Sequence, residues 1–290
     1  MSVERPSRTY VLGVYARRLL RWQRTSYPYL TGDAFARIAD FRLNPVAWRY
    51  SEKNKVGISN AQVIFCKSEE LNSMLKEFPE IKAKVIICGN SDFEFHEVPL
   101  GIPETVRALF LQNSFISDNK YIFTLPIGLE NLRWGVNGHP KLMKWESSNS
   151  VKDRILFGPF GDTHRVRNEI FMEFSQVPGP WDVLPSKRIS ASEYSSIARS
   201  FRFIAAVRGN GVDTHRLWES LYRGKLPIVK EDAWSKSFVE LGIPLITIDN
   251  WSAEAMNTQF RSFSREEFKP SDIESLWMPF WEKKISSFLH

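Results

Sequence analysis

Short apolar runs separated by polar turns recur along the chain, and their lengths suit buried strands. Residues 63–66, 85–88, 108–111 and 121–125 are runs of this kind, and Leu71, Met74 and Leu75 between the first two fall at helical spacing. A strand that is apolar throughout is buried on both faces, as in a parallel sheet. Strands alternating with helices give such a sheet with helices packed on it. Polar residues collect just past the carboxyl ends of these runs, in Gly89-Asn-Ser-Asp92, Gln112-Asn113 and Pro126-Ile-Gly128. Open α/β sheets bind ligands there. Between 139 and 153 the pattern dissolves into Pro, Lys, Ser and Asn, and a second series starts at 154–157. It runs through Gly158-Pro-Phe-Gly-Asp-Thr-His-Arg165, a helix past Ile170 and Phe174, and strands at 203–207, 226–229 and 246–248. It ends in a helix over 272–288 that Pro279 should kink or split. The reading is α/β, with Rossmann-like domains at 1–145 and 150–290.

Residues 203–229 carry the densest chemistry. After the strand, Gly209 and Gly211 let the backbone turn and approach a ligand closely. Asp213 or Thr214 can cap the helix that follows through Leu217, Leu221 and Tyr222, and Gly224 ends it. A helix N-terminus offers free N–H groups and partial positive charge, and Arg208 and Arg216 add full charges, which makes an anion site suited to phosphate. Glu219, more than a turn further on, can accept hydrogen bonds from the paired hydroxyls of a ribose. The alternative is a helix-surface ion pair of Glu219 with Arg216 or Arg223.

The block Arg208-Gly-Asn-Gly-Val-Asp-Thr-His-Arg-Leu-Trp-Glu-Ser-Leu-Tyr-Arg-Gly-Lys-Leu-Pro-Ile-Val229 resembles the donor-binding signature of exostosin-like GT-B glycosyltransferases of the bacterial polysaccharide-biosynthesis type. Tyr29-Leu-Thr-Gly-Asp-Ala-Phe35, Gly89-Asn-Ser-Asp92, Gln112-Asn113, Pro126-Ile-Gly-Leu-Glu-Asn131 and Ile243-Pro-Leu-Ile-Thr-Ile-Asp-Asn-Trp251 extend the likeness over residues 29–251. Cys88-Gly89 departs from it, since a His is expected ahead of Asn90. The resemblance implies two Rossmann-like domains facing across a cleft, a nucleotide-sugar donor in the second and a saccharide acceptor in the first. It implies Arg208 at the diphosphate, Glu219 at the ribose, and Gly209, Asn210, Gly211 and Thr214 shaping the phosphate loop. Arg216 stands beside them, and Arg165 is either a second cation at the cleft or a solvated first-turn arginine.

An inverting transfer needs a general base near the acceptor hydroxyl. Asp92 is the first candidate and Asp33 the second, although Thr31-Gly-Asp33 can simply cap a helix; Glu130 and His96 follow. Asp92-Phe-Glu94 has the outline of a metal-binding motif, yet cations at the diphosphate can replace an ion, so no metal and no cofactor are expected. The competing class is a non-catalytic nucleotide- or phosphate-binding module that regulates a partner. No Gly-x-x-x-x-Gly-Lys-Ser/Thr motif supports an NTPase.

Composition changes the picture in two places. Cys66 and Cys88 sit in apolar runs and read as buried free thiols of a reducing compartment, and the five histidines lack metal-ligand spacing. The net charge of +6 is concentrated at the start: residues 1–60 hold eleven Lys or Arg against four Asp or Glu. Arg17, Arg18, Arg21 and Arg24 interleave with Tyr15, Leu19, Leu20 and Trp22 as a basic amphipathic surface. It suits either anionic lipid headgroups or packing on its own domain. No nucleic-acid motif accompanies it, and the start of the chain lacks the apolar core of a secretory signal. The expected location is cytoplasmic or peripheral on the inner face of the membrane, with an acceptor that can be lipid-linked.

Overall fold

The computed structural model describes residues 26–43, 52–134, 137–145, 151–185 and 189–290. The arginine-rich segment around Arg17–Arg24, and with it the membrane-contact reading, lies outside the described residues. Among the described residues the chain is α/β, built on two parallel five-stranded sheets, and no helix is long and apolar enough to cross a membrane.

The first sheet holds β1 (Phe41–Arg42), β2 (Val63–Lys67), β3 (Val85–Gly89), β4 (Ala108–Gln112) and β5 (Ile122–Leu125) in the order β1-β2-β3-β4-β5. An order that always steps the same way, with right-handed crossovers, puts every connection on one face. That face carries Ile64, Cys66, Ile86, Cys88, Leu109 and Leu111 against α2 (Glu52–Asn60) and α3 (Leu71–Glu77). The opposite face, with Val63, Phe65, Val85, Ile87 and Phe110, has to be covered from elsewhere. One cover is α1 (Gly32–Ile38), whose N-cap Thr31 accepts from the Ala34 amide. The other comes from the far end of the chain, α9 (Met278–Ser286), whose Trp281 ring meets Phe35 at 5.7 Å and Phe110 at 6.5 Å.

This placement corrects the sequence expectation in two respects. The C-terminal helix, expected to complete the second domain, crosses back to the first sheet because that sheet has an apolar face with no crossover of its own. The expected helix over 272–288 is shorter: 270–272 and 274–276 form 3-10 turns and α9 begins at Met278, with Pro279 in its first turn, where the N–H that proline lacks would have had no intrahelical partner.

The second sheet holds β6 (Lys152–Phe157), β7 (Trp181–Val183), β8 (Phe201–Ala205), β9 (Leu226–Lys230) and β10 (Ile246–Ile248) in the order β7-β6-β8-β9-β10. Its helices are α4 (Arg165–Gln176), α5 (Ala191–Arg199), α6 (His215–Tyr222), α7 (Ala233–Glu240) and α8 (Ala253–Gln259). Here the chain steps both ways from its first strand, so both faces receive helices: Ile155 and Phe157 pack with Ile170, Phe174 and Met256, and Leu156 with Tyr194 and Ala198. Trp218, Leu221 and Tyr222 of α6 join the core that covers the first sheet. The Tyr222 hydroxyl accepts from the Leu30 amide at 2.9 Å and donates to the Leu276 carbonyl at 2.6 Å. One buried core is thus shared by the two halves.

Candidate functional site

The strand order of the second sheet reverses between β6 and β8. Connections that leave a reversal point go to opposite faces, and a crevice opens between their loops at the carboxyl ends of the strands. Arg167 of α4 ties these two loops together. Its Nε donates to the Arg208 carbonyl at 2.8 Å and Nη2 to Val207 at 3.1 Å, while Nη1 reaches the Gly161 carbonyl at 3.2 Å and Thr163 Oγ1 at 2.8 Å. Burial, and then the nearby Arg216, push its pKa down to about 10, which leaves it charged at neutral pH.

The loop after β8 is also strapped to the first half. Asn210 Nδ2 donates to Asp92 Oδ2 at 3.2 Å and Arg208 Nη2 to Glu94 Oε1 at 2.7 Å. The Asp213 amide donates to Asn113 Oδ1 at 3.0 Å, and the Ile127 amide to Asp213 Oδ2 at 2.8 Å. His215 Nδ1 lies 2.8 Å from the Gly128 carbonyl, which only accepts, so this nitrogen carries the proton. Asp92, Asn113 and Ile127 follow β3, β4 and β5, so the carboxyl ends of both sheets meet across one cleft. Both glycines of the loop serve this close approach. A Cβ on Gly211 would stand 2.7 Å from the Asn113 amide, and one on Gly209 3.0 Å from the Arg167 guanidinium. Neither has a positive φ; the backbone does bend at 210–213, with the Gly209 amide donating to the Gly211 carbonyl at 3.1 Å, and what the missing Cβ atoms allow is close packing against protein groups.

The cleft has a volume of about 330 Å³ and is lined by Arg167, Arg216 and Arg223 together with Asp92, Asp213 and Glu219. Arg216 donates from Nη2 to the Pro159 carbonyl at 2.8 Å, and its guanidinium lies 4.7 Å from the Tyr194 ring. Its Nη1, though buried, has no hydrogen-bond partner among the described residues. The N-terminus of α6 opens on the same space. Thr214 is its N-cap residue but makes no side-chain cap bond, and its buried hydroxyl is unpartnered. A first turn without a side-chain cap, an unsatisfied hydroxyl and an arginine with donors to spare together suit an anion.

Asp213 and Glu219 are the buried acids of this cleft. Asp213 Oδ1 accepts from Trp218 Nε1 at 2.8 Å. Burial pushes its pKa up to about 7, against the opposing hydrogen bonds from Ile127, Trp218 and Thr214. Burial also raises Glu219, with Arg223 and Arg216 pulling the other way. Glu219 Oε2 lies 3.6 Å from Arg223 Nη1. The expected partner is therefore present, but the pair is buried and faces the cleft, where the sequence suggested a helix surface.

The other expected site residues divide. Gly209, Asn210, Gly211, Thr214, Arg216, Glu219 and Asp92 all line the cleft. Arg208 lines a neighbouring pocket on the other side of its loop, paired with Glu94, and does not stand among the cleft cations. Arg165 is corrected: its side chain is 89% exposed and pairs with Glu169. Two helix positions apart mean about 200° of rotation, so Arg167 faces inward where Arg165 cannot. Asp33 is held by Arg133 at 3.0 Å and by Asn90, outside the cleft lining, with its pKa raised by burial. Glu130 accepts from the Asn137 amide, and His96 pairs with Glu94. Sequence reasoning missed Arg167, Tyr194 and the siting of Asp213. For Arg167 the available signal was helical facing from the Gly158–His164 turn.

No family model matches this chain, and no curated protein is significantly similar to it.

Proposed function

We propose that this chain is a glycosyltransferase of GT-B type that moves a sugar from a nucleotide-sugar donor to a saccharide acceptor. The observation that carries this reading is the cleft itself. It lies where the carboxyl ends of two parallel sheets meet, at a reversal of strand order, and combines Arg167 and Arg216 at an uncapped helix N-terminus with buried Glu219 along the same helix. Arginines and helix N–H groups suit a diphosphate, and a carboxylate a turn away suits ribose hydroxyls. The likeness of residues 208–229 to donor-binding signatures points the same way.

In this reading a nucleoside diphosphate leaves as the glycosidic bond breaks, and Arg216 with the α6 N-terminus stabilises the charge it gains. Arg167 holds the two loops in register and adds its charge from behind. Asp92, exposed at the cleft and held by Asn210 Nδ2, is the carboxylate placed to take a proton from the acceptor hydroxyl. Because protein cations meet the diphosphate, turnover should be unchanged by EDTA; activity lost with chelator and restored by manganese would overturn that part.

The decisive experiment is turnover of a panel of nucleotide-sugars with and without saccharide acceptors. A non-catalytic module would bind nucleotide without turnover. For the site, Arg216→Ala should weaken nucleoside diphosphate binding by about 1.5–3 kcal/mol, the range for hydrogen bonds to charged groups, or roughly 10- to 150-fold. Its direct contacts are one hydrogen bond and ring packing, and it also offsets the charge of buried Glu219, so the melting temperature should fall only modestly. Unaltered calorimetric affinity in that variant would remove the diphosphate from this cleft.

A further inference from the structure

The loop 208–212 is a partition. Gly209, Asn210 and Gly211 line the arginine-rich cleft, whereas Arg208 and Val212 line a second pocket of about 360 Å³. The strand-β3 side alternates in the same way, with Asp92 in the cleft and Glu94 and His96 in the second pocket. The remaining wall comes from the carboxyl ends of the second sheet and its helices: His164, Lys230, Asp232, Trp234 and Trp251.

We propose that this second pocket is a subsite for a neutral saccharide, bound on the other side of the 208–212 loop from the donor cleft. The capacity of this pocket to hold a saccharide does not rest on the glycosyltransferase reading. Charge separates the two pockets. In the cleft Arg167, Arg216 and Arg223 face Asp92, Glu219 and an Asp213 that burial keeps largely protonated below neutral pH. In the second pocket the charges cancel in pairs, Arg208 against Glu94 at 2.7 Å and Lys230 beside Asp232, so nothing there favours a phosphate. What remains is a mixture of flat apolar surface and polar groups of both kinds.

A saccharide ring presents C–H faces bordered by hydroxyls that both donate and accept, and this wall answers both. The His96 ring stacks on Phe115 with centroids 4.7 Å apart and planes 11° apart, Trp251 is half-buried, and Val166, Ala206 and Val212 complete the apolar surface. Glu94 and Asp232 accept. His164 donates: its Nδ1 accepts from the Val166 amide at 3.2 Å, which leaves the proton on Nε2. Two further buried donors in this wall, Trp234 Nε1 and Arg208 Nε, have no acceptor among the described residues. Pockets of a few hundred Å³ with apolar walls and a few orienting polar groups are the usual form of small-ligand sites. The proposal also gives Arg208 a place. It orients Glu94 for saccharide hydroxyls and closes the partition, and it is not a diphosphate ligand.

The test is saturation-transfer NMR on the full chain with methyl glycosides of glucose, galactose, mannose and N-acetylglucosamine, run beside calorimetry with nucleoside diphosphates. Saturation should reach the ring C–H protons of at least one glycoside. Its affinity should fall at least about tenfold in Trp251→Ala and in His96→Ala, the latter an exposed residue whose loss leaves the fold intact. Arg216→Ala should instead weaken the nucleoside diphosphate and spare the glycoside. No saturation of any glycoside by a chain that binds nucleotide would overturn the subsite and leave the donor cleft standing. A glycoside signal that persists in both variants would overturn it too, by placing the sugar elsewhere. If nucleotide binding alone fails, the donor reading falls while the glycoside data still judge this pocket.

Discussion

Arg223→Ala should lower the unfolding free energy by about 3–5 kcal/mol, the cost of leaving one member of a buried ion pair without its partner. The Arg223 side chain is 2% exposed and that of Glu219 11%. Its Nε donates to the Leu142 carbonyl at 3.1 Å and to Ser195 Oγ at 3.2 Å, and its Nη1 to the Glu219 carbonyl at 2.9 Å. Truncation removes the side-chain donor of the Glu219 carbonyl, while Leu142 O and Ser195 Oγ keep their own bond at 2.8 Å, and it leaves the Glu219 carboxylate with Arg216 as a compensating charge. Glu219→Gln, which keeps the shape and removes the charge, should cost less. The double variant should cost less than the two single changes summed, because residues in contact are not additive. Urea unfolding at neutral pH measures all three. Additive losses would mean that the pair is solvated and that Glu219 is free to act without it.

Stability should also fall as pH rises from about 4 towards 7, and Asp213 should be the main cause. Its pKa is about 7 in the folded chain against an ordinary value of 3.8. Between those values the native state holds a proton that the unfolded state has released, so raising the pH favours unfolding. Each pH unit is worth at most about 1.4 kcal/mol, hence on the order of 4 kcal/mol over the window as an upper bound. Asp33, Glu219 and Asp232 are raised by burial in the same direction and add to the slope. Asp213→Asn should flatten most of it, at the expense of one acceptor for the Ile127 or Trp218 N–H. The same ionisation adds negative charge beside the proposed diphosphate site, so nucleotide affinity should weaken above pH 7. A slope that survives in Asp213→Asn would assign the pH dependence to the other three carboxylates.

Much of the architecture is written in local pattern. The runs at 63–66, 85–88, 108–111 and 226–229 are strands because they are too short and too uniformly apolar to be anything but the interior of a parallel sheet. The glycine loop before α6 and the Gly224 stop after it are equally local, since Gly224 holds a φ of +69° that other residues rarely adopt. Strand β1 has no buried residue and β7 only Trp181, so neither shows an apolar run to be read.

Which residues share a site was decided by packing over long separations. Arg165 and Arg167 have equal claims by composition, and only the direction of α4 against the loop at 206–214 turns one inward and the other to solvent. Arg208 stands in the strongest motif of the chain, yet its side chain goes to Glu94, 114 positions away in sequence, and out of the cleft. Asp213 reads as a helix cap; it becomes an acid with a pKa of about 7 because the ends of two sheets close over it and exclude water. Local sequence thus determined most of the strands, helices and turns, since those choices depend on neighbours a few positions apart. The tertiary structure alone decided charge, burial and membership of the cleft, because each depends on how the first sheet's uncovered face draws α6 and α9 against it.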